Sequence, residues 1–284
     1  MALARDTAPI RRVLLTADDF GLSEGVNEAV ERAYREGVLG AASLMVAGPA
    51  AADAVHRARA LPGLRVGLHL VVIEGPAVLP RERIRDLVDA RGWFPSDQAG
   101  LGVRYFARPG VRRQLAAEIQ AQFAAYAETG LRLDHADAHK HMHLHPTVGR
   151  LMIGIGRAFG LTSVRVPWEP PTVMGACGER VGLGDRTLAW WSGILRRQVQ
   201  RAGLNAPDAV FGLRWTGQMT AARIKALAPH LPAGLSEIYC HPALGREALL
   251  KTLMPSYAQE AEFAALVDPG VRRALEAVAE IVRT

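Results

Sequence analysis

The sequence predicts a single α/β domain that covers residues 1–284 and folds as a closed or nearly closed barrel of the TIM-barrel type. Short apolar runs alternate with longer amphipathic segments almost without exception, which is typical of parallel strands joined by right-handed helical crossovers. A chain of 284 residues with about seven such strands fits one barrel better than an open sheet. No break in composition marks a linker between domains.

The predicted strands are apolar runs, at 13–16, 42–46, 65–70, 131–136, 163–166 and 237–240. The predicted helices have amphipathic spacing, at 23–36, 50–60, 111–129, 147–159, 187–202, 220–228, 256–266 and 270–283. Ser23 is placed to cap the first helix, and Gly37 follows its end. Two segments lack a clean period and are predicted as irregular excursions: 74–110, a long loop or lid, and 167–185.

The charge balance limits the partners of the chain. Thirty-four basic against 28 acidic residues give a net charge of +6, which suits nucleic acid, an anionic membrane surface or an acidic substrate, or reflects only a general use of arginine. Because the arginines are scattered and no recognition motif is present, we expect no nucleic-acid partner. Whether the chain forms a homo-oligomer is left open by the sequence.

Cysteine usage and hydropathy predict the compartment. Two cysteines cannot build a disulfide framework, which fits a reducing compartment. The first eleven residues lack the apolar core of a signal peptide. The apolar stretch 38–55 is interrupted by Gly48, Pro49 and Asp53, which indicates a strand and a helix rather than a membrane span. We therefore expect a cytoplasmic protein, with peripheral contact at the inner membrane as an open alternative.

Ionisable side chains follow the predicted strands at five places. They are Asp18 with Asp19, His69, Asp137 with His139, Arg165 and His241. Because the carboxyl ends of parallel strands meet on one face of a barrel, we expect these side chains to form one site.

The first two of these places each allow two interpretations. In the pair Asp18-Asp19, one carboxylate could bind a metal while the other takes a proton from metal-bound water; alternatively, Asp19 caps the turn that leads to Ser23. His69 lies in an apolar strand, where it is either a metal ligand or a core histidine bonded to backbone.

The segment 135–145 holds five of the nine histidines of the chain. In an extended segment, alternate side chains share a face, so we expect His139, His141, His143 and His145 to line one surface. A metal is the strongest explanation, since neutral imidazole suits Zn²⁺, Ni²⁺, Co²⁺ or Mn²⁺. One metal cannot use them all, so the others orient ligands or contact substrate, and Asp137 is placed to fix an imidazole tautomer.

His241 follows the last predicted strand, directly after Cys240. A thiol nucleophile paired with this histidine is geometrically poor, because neighbouring residues of a strand face apart. A histidine at a strand end beside the site is better suited to donate a proton.

Four motifs together resemble the YdjC-like deacetylases, a family that includes the chitooligosaccharide deacetylases. They are Thr-Ala-Asp-Asp-Phe-Gly at 16–21, Gly-Leu-His at 67–69, the run 137–146 and Cys-His-Pro-Ala at 240–243. More narrowly, the stretches 42–50 and 139–146 are similar to the hopanoid-biosynthesis-associated, HpnK-type members. The resemblance implies an irregular (β/α) barrel that hydrolyses an N-acetyl group on an amino sugar, and for the narrower branch an N-acetylglucosaminyl hopanoid lipid.

The resemblance also implies roles for individual residues. Asp19, His69 and His139 would bind one divalent metal ion, with Zn²⁺ expected before Mg²⁺, Mn²⁺, Co²⁺ or Ni²⁺. Asp18 would be the general base, and His241 would lie where the leaving amine needs a proton.

The remaining polar residues would support this set. Arg165 is similar to the arginine that orients the base in related polysaccharide deacetylases. Asp137, His141, His143 and His145 would orient the ligands or contact the substrate.

A lipid-linked sugar would bring the chain to a membrane. The segment 186–197 sets Trp190-Trp191 among aliphatic residues between arginines, which suits a helix in a membrane interface, a lid over an apolar aglycone, or an ordinary amphipathic core helix. A second interfacial candidate is 103–113, with four arginines around Tyr105 and Phe106.

Two other functions use the same residue types. A metal-dependent phosphoesterase would suit the basic charge, but it normally needs bridging carboxylates for two metals. A non-enzymatic glycan- or hopanoid-binding protein would use the metal structurally, with four protein ligands rather than three.

Overall fold

The structure is a computed structural model that describes residues 10–180, 182–245 and 247–283. Its centre is a parallel sheet with the strand order β4-β3-β2-β1-β6-β5, and β7 also pairs with β1. The strands are β1 (Arg11–Phe20), β2 (Ala41–Leu44), β3 (Arg65–Leu70), β4 (Ala136–Ala138), β5 (Ala209–Phe211), β6 (Gly234–Cys240) and β7 (Glu280–Ile281). The sheet curls into a half-barrel surrounded by helices, and the predicted TIM-barrel-like α/β fold is confirmed.

Helices connect and cover the strands. They are α1 (Glu24–Glu36), α2 (Ala51–Arg59), α3 (Arg81–Ile84), α4 (Gln98–Ala107), α5 (Pro109–Glu128), α6 (Pro146–Gly156), α7 (Pro171–Ala176), α8 (Leu183–Arg201), α9 (Ala221–Leu227), α10 (Ala248–Leu253), α11 (Gln259–Val267) and α12 (Pro269–Glu276). Short 3-10 segments add His139–Leu144, Arg157–Phe159 and Ala228–His230.

The central strand β1 explains why the sheet forms where it does. All of its residues from Val13 to Phe20 are buried, as expected for a parallel strand covered on both faces. Ser23 ends the turn after β1 and caps α1, because its hydroxyl accepts a hydrogen bond from the backbone N–H of Val26. This short connection fixes the carboxyl end of β1 close to the start of a helix.

The barrel is incomplete between β4 and β5. The predicted strand 163–166 forms only isolated bridges, from Val164 to Ala136 and from Ser163 to Asn205. These bridges span the space between β4 and the segment that leads into β5. The result is an irregular barrel whose wall is hydrogen-bonded at this place by single residue pairs rather than by a strand ladder.

Several sequence-based boundaries were wrong. The irregular chain expected within 74–110 and 167–185 contains α3, α4, α7 and the start of α8. The predicted strand at 131–136 lies later, as β4, and the predicted helix 270–283 ends at Glu276. β5 and β7 were not predicted, because two or three residues are too few to show a strand period.

Among the described helices, none has the length and apolar character needed to cross a membrane.

Candidate active site

The carboxyl ends of the strands open into a cavity of about 550 Å³. Its polar floor includes four of the predicted residues, Asp18, His69, His139 and His241. The structure therefore brings together side chains from β1, β3, the segment after β4 and the end of β6. This convergence is the one expected at the carboxyl face of parallel strands.

Asp19, itself buried, faces His69 and His139 of this floor because β1 is irregular at its end. The pairing register with β2 shifts between Ala17 and Phe20, and Asp19 itself has a left-handed φ of 63°. Its Oδ1 lies 3.1 Å from Nδ1 of His139 and 3.4 Å from Nε2 of His69. A strained conformation at a buried carboxylate is typical of a functional position.

The cluster of Asp19, His69 and His139 fits a divalent cation. One side-chain donor atom from each residue lies within 4.8 Å of the others, and all three residues are buried. Within the described part of the chain, Oδ2 of Asp19 is buried without a hydrogen-bond partner. One carboxylate and two imidazoles form a donor set that suits Zn²⁺ and other first-row metals, and three protein ligands leave positions for water and substrate.

The electrostatics of the cluster also favour a cation. Burial by itself would raise the pKa of Asp19, but His139 and His69 hold it well below its usual range. Burial opposes a charge on His69, yet Asp137, together with Asp18 and Asp19, raises its pKa to about 10. The negative potential that favours a proton on this imidazole equally favours a metal ion beside it.

Asp137 orients the ring of His69. Nδ1 of His69 donates to Oδ1 of Asp137 at 2.9 Å, which leaves Nε2 directed to Asp19. The two residues are register partners on β3 and β4, so the sheet itself places them side by side. This carboxylate–histidine pair is the arrangement that fixes the tautomer of a metal-binding imidazole.

Arg165 holds the second carboxylate of β1. Its Nη1 and Nη2 donate to both oxygens of Asp18 at 2.7 and 2.8 Å. The same guanidinium, fully buried, also pairs with Asp137 and with Glu237 of β6. A forked pair of this kind fixes the position and the orientation of the carboxylate.

A second grouping, of Asp18, His69 and Asp137, also satisfies metal-binding distances. Both of its carboxylates are already paired with Arg165. A second cation at this position would have to displace or oppose a buried guanidinium, so the first cluster is the better candidate.

The histidine-rich segment does not have the predicted conformation. The expectation of an extended run was wrong, because 139–144 is a 3-10 segment in which Lys140 and His141 have left-handed φ values of 51° and 54°. Lys140 forms an ion pair with Glu74, which also has a positive φ. The turn is thereby fastened to the chain that follows β3.

The four histidines therefore point to different places. His139 faces Asp19, whereas His141 lies at the cavity with its Nε2 2.8 Å from the hydroxyl of Tyr239. Nε2 of buried His143 donates to the carbonyl oxygen of Arg165 at 3.0 Å. Burial lowers the pKa of His143 to about 4, so it stays neutral and structural near pH 7.

His145 packs edge-on against two aromatic residues of α4, Tyr105 and Phe106. It also lines the cavity.

His241 lies at the end of β6 against two residues that sequence analysis missed. Its Nδ1 is 3.7 Å from the carboxylate of Glu262, and its ring meets Tyr257 at 4.9 Å. Burial disfavours a charge on His241, but Glu262, with smaller contributions from Asp19 and Asp18, raises its pKa. A histidine that keeps its proton to higher pH is suited to act as an acid.

Other residues of the site gave no signal in the sequence. Glu237 and Tyr239 lie in an ordinary strand pattern, and Ser43 is one of many small residues in its strand. Glu262 lies 21 residues beyond His241, on α11. Each becomes visible only through its contact with a predicted residue.

One side of the cavity is apolar. Its side chains come from the segment before α6, from α8 and from the loop after β5, and they are Met142, Leu144, Leu188, Trp191 and Leu213. Three large apolar side chains of α4 and α8 are exposed: Val103 (67%), Phe106 (67%) and Trp190 (60%).

Fold and site together define an α/β half-barrel with a buried Asp-His-His cluster beside an arginine-bound carboxylate. The family model described as YdjC-like protein matches residues 12–277, and the chain belongs to that family.

Relatives and a solved structure extend the comparison. A carbohydrate deacetylase from Brevibacillus brevis is 34% identical over 157 residues, which span 55% of this chain and about 60% of that protein. A carbohydrate deacetylase from Thermoanaerobacter pseudethanolicus is 24% identical over 92% of this chain and 93% of its own length. The crystal structure of a candidate cellobiose-phosphate cleavage protein from Enterococcus faecalis V583 has the same fold, with a TM-score of 0.75 and 21% identity over 96% of this chain and 97% of that one.

Proposed function

We propose that the protein is a metal-dependent N-deacetylase that removes an acetyl group from an amino sugar. The observation that carries the proposal is a buried cluster of Asp19, His69 and His139 whose two histidines line the same cavity as the arginine-bound Asp18 and His241. The relatives named carbohydrate deacetylases support the reaction class.

The chemistry needs an activated carbonyl and a nucleophile near neutral pH. A divalent ion, held by Asp19, His69 and His139, would supply both by polarising the amide and lowering the pKa of water. Asp18 takes the proton from the attacking water, and Arg165, which donates to both of its oxygens, holds that carboxylate in position. His241 donates its proton to the nitrogen as the amide bond breaks, so acetate and the amine leave.

For the substrate we propose an acetylated amino sugar linked to an apolar lipid, with N-acetylglucosaminyl hopanoid as the specific candidate. The apolar side of the cavity supports this, because Leu188, Trp191 and Leu213 offer an aglycone a surface that a free sugar does not need. The resemblance of 42–50 and 139–146 to hopanoid-associated members points the same way.

We propose that the rim of this cavity docks on an anionic membrane. Phe106 and Trp190 are exposed on α4 and α8, two helices that also contribute residues to the cavity lining, and Arg108 and Arg186 are exposed close to them in sequence. Apolar anchors beside cationic side chains are typical of interfacial binding.

Pelleting with phosphatidylglycerol vesicles tests this docking. Binding at low salt, weakened by high salt and by the double change of Phe106 and Trp190 to Ala, is expected. Absence of pelleting at low salt contradicts it.

The direct test of the reaction is acetate release from an N-acetylglucosaminyl lipid and from N,N′-diacetylchitobiose, using chelated protein with metals added back. Asp19→Asn should lose both metal and activity, whereas Asp86→Asn, a change at an exposed carboxylate outside the cavity, should retain both. Turnover by metal-free Asp19→Asn protein would contradict the proposal. Phosphate release from sugar phosphates without acetate release would favour a phosphoesterase, and metal or glycan binding without either reaction a binding protein.

A further inference from the structure

A row of three residues lies below the floor of the cavity, one level closer to the amino ends of the strands. Ser43 of β2 and Gly67 of β3 are register partners, and His135 directly precedes β4. Because alternate residues of a strand share a face, His135 lies on the same face as Asp137, and Gly67 on the same face as His69. The row therefore sits directly beneath the His69–Asp137 pair.

The ring of His135 reaches Ser43 across the glycine between them. A Cβ atom on Gly67 would lie 2.5 Å from Cδ2 and Nε2 of that ring, so only glycine leaves space for it. Nε2 of His135 then lies 3.0 Å from Oγ of Ser43. Because Gly67 has no side chain, a hydrogen bond can join Ser43 of β2 to His135 at the start of β4.

The hydrogen bonds in this row have a defined direction. Nδ1 of His135 lies 3.0 Å from a carboxylate oxygen of Asp134, so both ring nitrogens face partners. The Ser43 hydroxyl donates to Oδ2 of Asp137 at 3.1 Å, which leaves its oxygen to accept from His135. Oδ1 of the same carboxylate accepts from Nδ1 of His69.

This chain of contacts is separate from the reacting groups. Ser43 and His135 are buried and neither lines the cavity, so neither can touch the substrate. At its outer end Asp134 pairs with Arg65, at the start of β3. Burial opposes a charge on His135, but Asp134 and Asp137 outweigh it and raise its pKa, in agreement with a ring that donates from both nitrogens.

We propose that His135 and Ser43 form a positioning pair that fixes the Asp137 carboxylate and, through it, the ring of His69 with Nε2 directed to the metal site. The inference rests on the proposed metal-dependent function and adds two residues that act through Asp137 rather than on the substrate. Removal of a direct partner of a metal ligand, as Asp137 is of His69, changes metal affinity by about 10- to 100-fold, and Ser43 and His135 act through that partner.

Zinc affinity of the purified full chain, measured by competition with a chromophoric chelator, tests the pair. Ser43→Ala should weaken zinc binding about 10-fold or more, since Asp137 loses a donor and its orientation is less fixed. Ser236→Ala is the matched control, because Ser236 is also a buried strand serine, on β6, and among the described residues its hydroxyl has no hydrogen-bond partner. That control should bind zinc as the wild type does.

His135→Phe provides a second variant that keeps a ring over Gly67 but removes both nitrogen atoms. It should weaken zinc binding in the same direction as Ser43→Ala, and it serves as the test if Ser43→Ala does not fold by circular dichroism. Wild-type affinity in a folded Ser43→Ala or His135→Phe protein would overturn the positioning role alone. A wild-type chain that binds no metal would instead overturn the proposed function together with this inference.

Discussion

The floor and the apolar wall of the cavity are built from different parts of the chain and by different forces. The floor consists of side chains at strand ends, and the buried Arg165, which does not itself line the cavity, pairs with three carboxylates, Asp18, Asp137 and Glu237. The wall consists of apolar side chains such as Leu188 and Trp191 on helix α8, with few directional contacts. Under the proposed function, the sheet positions the reacting groups, whereas helices and loops form the surface that meets the rest of the substrate.

The largest effect is expected on the floor, from Asp18→Asn. The metal cluster does not include Asp18, so zinc affinity should stay close to that of the wild type. Loss of the proton acceptor should lower kcat by about a hundred- to ten-thousand-fold. Zinc stoichiometry and acetate release measured on the same sample check both parts. A variant that keeps wild-type kcat would show that another group takes the proton.

Arg165→Met should destabilise the fold rather than only slow the reaction. It leaves three buried carboxylates without their shared cation, a loss of about 3–5 kcal/mol in the free energy of unfolding. Urea denaturation measures this change. Trp190→Ala, at an exposed residue of α8 next to the wall residue Trp191, should change the same quantity by less than about 0.5 kcal/mol. Equal losses in the free energy of unfolding for Arg165→Met and Trp190→Ala would contradict the difference between the hydrogen-bonded floor and the helices of the wall.

Trp191→Ala should separate the wall from the chemistry. Loss of a large apolar surface should raise KM for the lipid-linked substrate about 10-fold or more, with kcat nearly unchanged. The steady-state constants for N,N′-diacetylchitobiose, which has no lipid, should stay near those of the wild type. A parallel loss on both substrates would show that the wall also supports the reacting groups.

The smallest effect is expected from Glu262→Gln, at the border of the floor. Burial lowers the pKa of His241, and Glu262 is the main group that raises it. Because the acid must be protonated, activity falls as pH rises through this pKa. Removing the negative charge lowers the pKa, so the alkaline limb of the kcat profile should move to lower pH. An unmoved limb, in a protein of unchanged melting temperature, would assign the proton donor to another group.

The same contrast explains what sequence could predict. The end of a strand such as β3 can be recognised in the sequence, because His69 follows an apolar run. That such strand ends meet on one face follows from the parallel topology. Glu237 and Ser43 carry no such signal, because their roles arise from contacts with Arg165 and Asp137, which are distant in the chain.

The local conformation of the histidine segment was not predictable either. Lys140 and His141 both adopt left-handed angles, which non-glycine residues rarely do, so the conformation depends on tertiary contacts such as the ion pair of Lys140 with Glu74. Part of the wall lies where a lid over an apolar aglycone was one of the expectations, because Leu188 and Trp191 belong to 186–197, whereas Met142 and Leu213 carried no such signal in the sequence.

Gly67 has a consequence for how sequences of this family can change. The ring of His135 occupies the space where a side chain at position 67 would lie, so we expect the residues at 67 and 135 to change together. Alanine at position 67 requires a smaller side chain at position 135. Where position 135 holds a smaller residue than histidine, position 67 no longer has to be glycine. Substitutions at the two positions should therefore occur together in related sequences, and a chain that changes only Gly67 should bind metal less tightly at the proposed site.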